Sequence, residues 1–238
     1  MVVLTITACK SVTKEPVTVE TDTKEKEMAP EWVSLFDGTS LSGWHVYNNP
    51  EGTNPWTIED GVLMFPGRAA GSKPEFNLVT DNEYTDFILS LEWKISEAGN
   101  SGIFWGVHED EKFSEAYMTG PEIQVLDNEK HPDSFVGNGI HKAGSLYDLI
   151  GYPDEYINPA GKWNKCELEI DHKKNIGTVT MNGKASISFP LSGEKWNTMV
   201  ANSKFKDWEG FGRYPTGHIG LQDHSDKVWY KNIKIKEI

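Results

Sequence analysis

Cysteine is nearly absent from this chain: two in 238 residues, Cys9 and Cys166. One bridge at most could form, so a disulfide-stapled scaffold is excluded. Basic residues are also scarce, with 23 Lys and Arg against 36 Asp and Glu for a formal net charge of −13, and no basic run exceeds two residues. A nucleic-acid backbone is bound by clustered Lys and Arg that release its counterions, so no nucleic-acid partner is expected. No apolar run approaches the ~20 residues of a membrane-spanning helix. Missing as well are a Gly-x-Ser-x-Gly elbow, a Walker loop, a Cys-x-x-Cys pair and two His at helical spacing. Serine-nucleophile, phosphate and zinc chemistry therefore have no support in the sequence.

What is abundant is aromatic surface. Nine Trp in a chain of this size exceed what core packing alone asks for, and carbohydrate clefts are one use of such rings; an all-β core with the polar edges of Trp and Tyr tied at its rim is another. Met1 to Ala8 is a short apolar run, and Leu4-Thr5-Ile6-Thr7-Ala8-Cys9 resembles a bacterial lipobox, which makes Cys9 the expected lipid-attachment site and residues 1–9 a signal remnant. Residues 10–30, rich in Thr, Glu, Lys and Val and broken by Pro16 and Pro30, have too little apolar content to offset the entropy of ordering and read as a flexible tether. Folded sequence is expected over 31–238.

From Glu31 onward, short segments with strand periodicity alternate with turn signals, and no window of a dozen residues sustains a helical stripe, which predicts an all-β domain. Phe87, Leu89, Leu91, Trp93 and Ile95 alternate with Ile88, Ser90, Glu92 and Lys94, as in a strand with one buried face. Asn182-Gly183 suits the positive φ angles of a type I′ hairpin. Asn164, Cys166, Leu168 and Ile170 share a strand face, so Cys166 is expected to be a buried, inert thiol. The segment ending in Ile233-Lys234-Ile235-Lys236 closes the chain on a strand.

Three stretches could carry chemistry. In Pro121-Glu122-Ile123-Gln124-Val125-Leu126-Asp127 alternation puts Glu122 and Gln124 on one face, and a bulge would bring Asp127 to join them. In His218-Ile219-Gly220-Leu221-Gln222-Asp223-His224 the two His and Gln222 share a face, and an imidazole titrates where proton transfer at neutral pH needs it. The Gly-rich stretch 137–148 is an ordered loop carrying His141, Lys142 and Tyr147, a charge for an oxyanion and a hydroxyl or ring for a ligand, while Asn100-Ser101-Gly102 adds small polar groups. Each is equally readable as solvated surface. A hard cation on Glu122, Asp127 or Glu92 is left open, because oxygen-ligand sites need no tight spacing.

Four separated segments, Trp32 to Trp44 (WVSLFDGTSLSGW), Asn100 to Phe104, Gly120 to Gln124, and Gly220 to His224 closing on Tyr230 to Ile233, together resemble the 3-keto-disaccharide hydrolase family over residues 31–238. The resemblance implies a concanavalin A-like jelly-roll β-sandwich, often on a lipid-anchored protein of the bacterial periplasm or cell surface, acting on glycosides already oxidised at C3, with a sugar 3-dehydrogenase as functional partner. Under it His224 and Glu122 are the expected acid–base pair, with Lys142 or a divalent cation at the enolate and Gln124, Glu92, Gln222, Tyr147, Asp127, His141 and Asn100 around the sugar. Glu122-x-Gln124-x-x-Asp127 also resembles the catalytic strand of laminarinase-type glucanases, but an amide stands where a retaining pair needs a carboxyl. A non-catalytic carbohydrate-binding module is the rival from another class.

Overall fold

A computed structural model describes residues 1–3 and 30–238; Cys9 and the proposed tether, Pro30 apart, lie outside the described residues. Two antiparallel sheets face each other across one core. The first contains β1 (Val33–Ser34), β3 (Thr57–Glu59), β4 (Val62–Phe65), β6 (Phe87–Ile95), β9 (Asn164–Asp171), β10 (Ile176–Met181), β11 (Ser186–Phe189) and β13 (Val228–Glu237), in the order β11-β10-β9-β6-β13-β4-β3, with β1 also on β13. The second contains β2 (Trp44–Val46), β5 (Leu78–Tyr84), β7 (Asn100–Val107), β8 (Glu122–Leu126) and β12 (Gly217–Leu221), ordered β2-β5-β12-β7-β8.

The period-2 pattern of β6 does what it predicts: Phe87, Leu89, Leu91, Trp93 and Ile95 are all buried and meet Ile103, Trp105, Ile123, Val125, Ile219 and Leu221 from the other sheet. Cys166 joins the same core as a free thiol, and burial pushes it up to about 12, so it is inert as expected. Asn182 and Gly183 both have positive φ, and the Lys184 amide donates to Met181 O at 3.0 Å, closing the expected tight turn between β10 and β11. One helix was not foreseen, α1 (Gly193–Ala201). It has nine residues and only Trp196 fully buried, too little of a stripe for periodicity to register.

The outward face of the second sheet positions the site. On β7, β8 and just beyond β12, the residues opposite the core positions are Asn100, Gly102, Glu122, Gln124 and Gln222. The outer edge of β8 does not stay open: residues 143–147 lie along it, with Gln124 N–H donating to Ser145 O, Gly144 N–H to Gln124 O and Tyr147 N–H to Glu122 O, at 2.8–3.0 Å. That covers an edge which would otherwise invite pairing with another chain and brings the Gly-rich loop beside the strand. The segment after α1, residues 202–216, closes the other side.

Candidate functional site

A groove of about 330 Å³ opens on this face, lined by Glu122, Gln124, Asn100, Gln222, His224 and Tyr147 from the regions singled out above, together with Glu75, Tyr117, Lys204, Phe205 and Trp208. It lies at the small end of the ~300–1,000 Å³ typical of small-molecule sites. Six of the residues singled out from the sequence thus line one hollow.

Glu122 is its centre. The carboxyl lies across β7 where register pairs Phe104 with Glu122 and Gly102 with Gln124. A Cβ on Gly102 would fall 2.1 Å from Glu122 Oε1, so only glycine leaves space for the acid. Burial raises Glu122 from the ordinary 4.5 to about 8, with the Lys204 ammonium opposing and Asp133 and Glu75 adding to the rise. The group is therefore mostly protonated at neutral pH and is poised to give a proton. Its Oε1 has no hydrogen-bond partner, and the same is true of Asn100 Oδ1 and Gln222 Oε1. Buried polar atoms without partners are uncommon, because each forgoes its hydration uncompensated. Three such oxygens on one groove call for a ligand rich in hydroxyl donors.

Lys204 supplies the positive charge. Its ammonium stands 4.0 Å above the Tyr147 ring, its backbone N–H donates to Asp148 Oδ2 at 2.7 Å, and burial holds its pKa below the usual lysine value while Glu122, Asp148 and Asp133 oppose the fall. Tyr147 donates to Asp133 Oδ2 at 2.9 Å, and burial and the Asp133 carboxylate raise its pKa, which keeps it a hydroxyl. The aromatic wall is built by Trp208, edge-on to Phe205 with centroids 5.0 Å apart, and Tyr117, 5.8 Å from Trp208.

Four expected site residues lie elsewhere. Lys142 is off the groove, its Nζ 2.5 Å from Asp154 Oδ2; the loop turns between Lys142 and Tyr147 to follow β8, so only Tyr147 enters. Glu92 belongs to the other sheet, where it accepts from Asn232 at 2.6 Å and pairs with Lys231 at 3.4 Å. Asp127 shows no bulge toward Glu122: its buried carboxylate accepts the backbone N–H of Ala98 and Glu129 at 2.8 and 3.0 Å, a turn-holding duty. His141 sits behind Tyr147, bound to Asp133 at 2.9 Å and Asp148 at 2.6 Å. Glu122, Asp127 and Glu92 are thus not brought together as cation ligands. His218 keeps the outward face but not the groove; β12 is irregular between His218 and Gly220, and the His218 ring meets Thr80 O at 2.6 Å. Lys204, Phe205, Trp208, Tyr117 and Glu75 were not found from the sequence. The one signal was the three-residue spacing of Phe205, Trp208 and Phe211 directly after Lys204, in a segment without strand alternation.

Residues 31–236 match the family described as the 3-keto-alpha-glucoside-1,2-lyase-like domain. A 3-keto-disaccharide hydrolase of Bacteroides thetaiotaomicron is 33% identical over 229 residues, 86% of this chain and 78% of that one. A crystal structure from Parabacteroides distasonis, provisionally named a glycosyl hydrolase, superposes with a TM-score of 0.77 at 29% identity, covering 87% of this chain and 94% of the other. A protein of Bacillus subtilis with a galectin-like fold, at 14% identity and a TM-score of 0.51 over 89% of this chain and 97% of its own, shares the sandwich fold alone.

Proposed function

Because the chain belongs to the 3-keto-alpha-glucoside-1,2-lyase-like domain family, we propose that it cleaves glycosides carrying a ketone at C3 of the sugar, with the groove around Glu122 as the active site. The observation that carries this reading is the trio of unpartnered buried oxygens, Glu122 Oε1, Asn100 Oδ1 and Gln222 Oε1, on one hollow beside an aromatic wall against which a sugar ring stacks.

A C3 ketone acidifies the C2 proton, so a base removes it and the C1 substituent departs by β-elimination without an oxocarbenium ion. His224 at the rim takes the C2 proton. Lys204 stands in the role sequence spacing offered to Lys142, a cation beside the oxygen of the developing enolate. Glu122, protonated through burial, gives its proton to the departing C1 oxygen. Water added across the resulting 2-hydroxy-3-keto-glucal, oxygen to C1 and hydrogen to C2, yields the 3-keto-sugar, so the net change is hydrolysis. Asn100, Gln222 and Gln124 hold hydroxyls, and Trp208 holds the ring face. The oxidised substrate implies a sugar 3-dehydrogenase acting upstream.

The test is to incubate the protein with a 3-keto-aryl-glucoside and with the unoxidised parent and to follow aglycone release. Turnover of the oxidised compound alone, abolished in Glu122→Gln, supports the reading. Binding of both compounds with no release, unchanged in Glu122→Gln, would make the groove a lectin-like site instead.

A further inference from the structure

Where His224 lines the groove, His131, His224 and Asp226 each offer one ligand-capable atom, and these atoms all lie within 4.8 Å of one another. The two imidazoles stand edge to face with centroids 6.2 Å apart. Among the described residues no hydrogen bond or ion pair joins any two of the three. Three donors 4.8 Å apart leave a centre ~2.8 Å from each, and metal–nitrogen and metal–oxygen bonds of ~2.0–2.2 Å would need each side chain to advance by less than about 1 Å.

The surroundings favour an ion there. Asp226 is fixed through Oδ2, which accepts Asn100 N–H at 3.0 Å, and among the described residues Oδ1 makes no hydrogen bond. The carboxylates of Asp226, Asp133 and Asp127 act on His131 and make the local potential negative, which attracts a cation. One contact works against binding: His131 Nδ1 accepts Asp133 N–H at 3.2 Å, so ligation costs one weak hydrogen bond whichever ring nitrogen is used. His224 makes no hydrogen bond among the described residues and belongs both to this cluster and to the lining of the groove.

We propose that His131, His224 and Asp226 form a binding site for one divalent transition-metal ion, with its remaining coordination positions open toward the groove. Two imidazoles with one carboxylate select a borderline ion such as Zn²⁺, Co²⁺ or Ni²⁺ over Ca²⁺ or Mg²⁺, which prefer all-oxygen cages. The consequence for catalysis rests on the functional reading above. With His224 on an ion its lone pair no longer serves as base, and a metal-bound water, acidified toward a pKa of ~7, takes that place. The bound hydroxide accepts the C2 proton and becomes water. In the hydration step a bound water gives its oxygen to C1 and a proton to C2.

The experiment needs no sugar. Purified protein is stripped with a chelator, dialysed into metal-free buffer and titrated with ZnCl₂ by calorimetry, with the visible spectrum of added Co²⁺ read in parallel. One equivalent should bind, and His131→Ala and Asp226→Asn should each weaken binding by about 100-fold or more, the upper end of the loss seen when even an outer-shell partner is removed. Glu122→Gln, in the groove but outside the triad, should keep the wild-type affinity and controls for folding. Sub-stoichiometric binding by the stripped wild type, or an affinity indifferent to His131 and Asp226, overturns the proposal. Its failure is separable from that of the functional reading: a protein that binds no ion yet cleaves 3-keto-glycosides rejects the metal and returns His224 to the role of base. A protein that binds the ion and cleaves nothing rejects the reaction alone.

Discussion

Replacing Glu122 by Gln should make the protein more stable and inactive at once, and the gain should depend on pH in a defined way. Burial raises this carboxyl from 4.5 to about 8. Below pH 4.5 the acid is protonated in the folded and unfolded chains alike, and it exerts no pH-linked effect. Between pH 4.5 and about 8 the unfolded chain releases the proton while the folded chain keeps it, so stability falls by about 1.4 kcal/mol for each pH unit. Above about 8 both forms are ionised and the loss is complete. At pH 7 the accumulated cost is roughly 3 kcal/mol, and for a domain of this size each kcal/mol moves Tm by ~2–4 °C. Glutamine has nearly the same shape and no charge to lose, so it escapes the cost. Thermal unfolding of wild type and Glu122→Gln at pH 5, 6, 7 and 8, followed by circular dichroism, should show a difference in Tm that is small at pH 5 and widens to roughly 6–10 °C by pH 7. Aglycone release should be lost throughout. A difference that stays flat from pH 5 to pH 8 would refute the claim that Glu122 folds as a neutral acid, and with it its role as proton donor.

The remaining predictions concern neighbouring residues. Lys204→Met should lower kcat on a 3-keto-glycoside by about 100-fold or more, the scale of losing one oxyanion donor, whereas Lys142→Ala, off the groove, should stay within a few-fold in the same assay. Trp208→Ala should act mainly on KM, raising it about 10-fold through loss of a stacking face worth ~1 kcal/mol or more; an effect confined to kcat would argue against stacking. Gly102→Ala should abolish turnover while circular dichroism shows a folded sandwich, since its methyl group claims the space of the Glu122 carboxyl. Cys166 should resist a thiol reagent until denaturant is added, and Cys166→Ser should cost ~1–3 kcal/mol in denaturant unfolding by burying a hydroxyl without a partner.

The groove also shows where local pattern stops being informative. Glu122, Gln124 and Gln222 could be placed together because alternation in a strand is a local rule with a fixed period, and two strands whose core faces are specified must present their other faces to the same side. Asp127 failed for a reason just as local. It is the first residue past β8, and a turn that needs its carboxylate for two backbone N–H groups takes precedence over a bulge that would have aimed it at the sugar. Lys142 and Tyr147 were offered as equals by one Gly-rich loop; which of them entered the groove was settled by the backbone pairing of residues 143–147 with β8, a contact that alternation does not encode.

What the sequence determined by itself is the all-β sandwich, the buried thiol, the position of one tight hairpin turn and the outward polar faces of two strands, all consequences of period-2 burial and of the few residues that tolerate positive φ. The tertiary structure alone decided that Lys204, Trp208 and Glu75, from chain segments more than 40 residues away from Glu122 on either side, meet it across one hollow, and that His131 comes to face His224. Such meetings depend on how loops pack over a finished sheet. Their contacts join residues far apart in the chain, and no short-range pattern records the packing that brings them together.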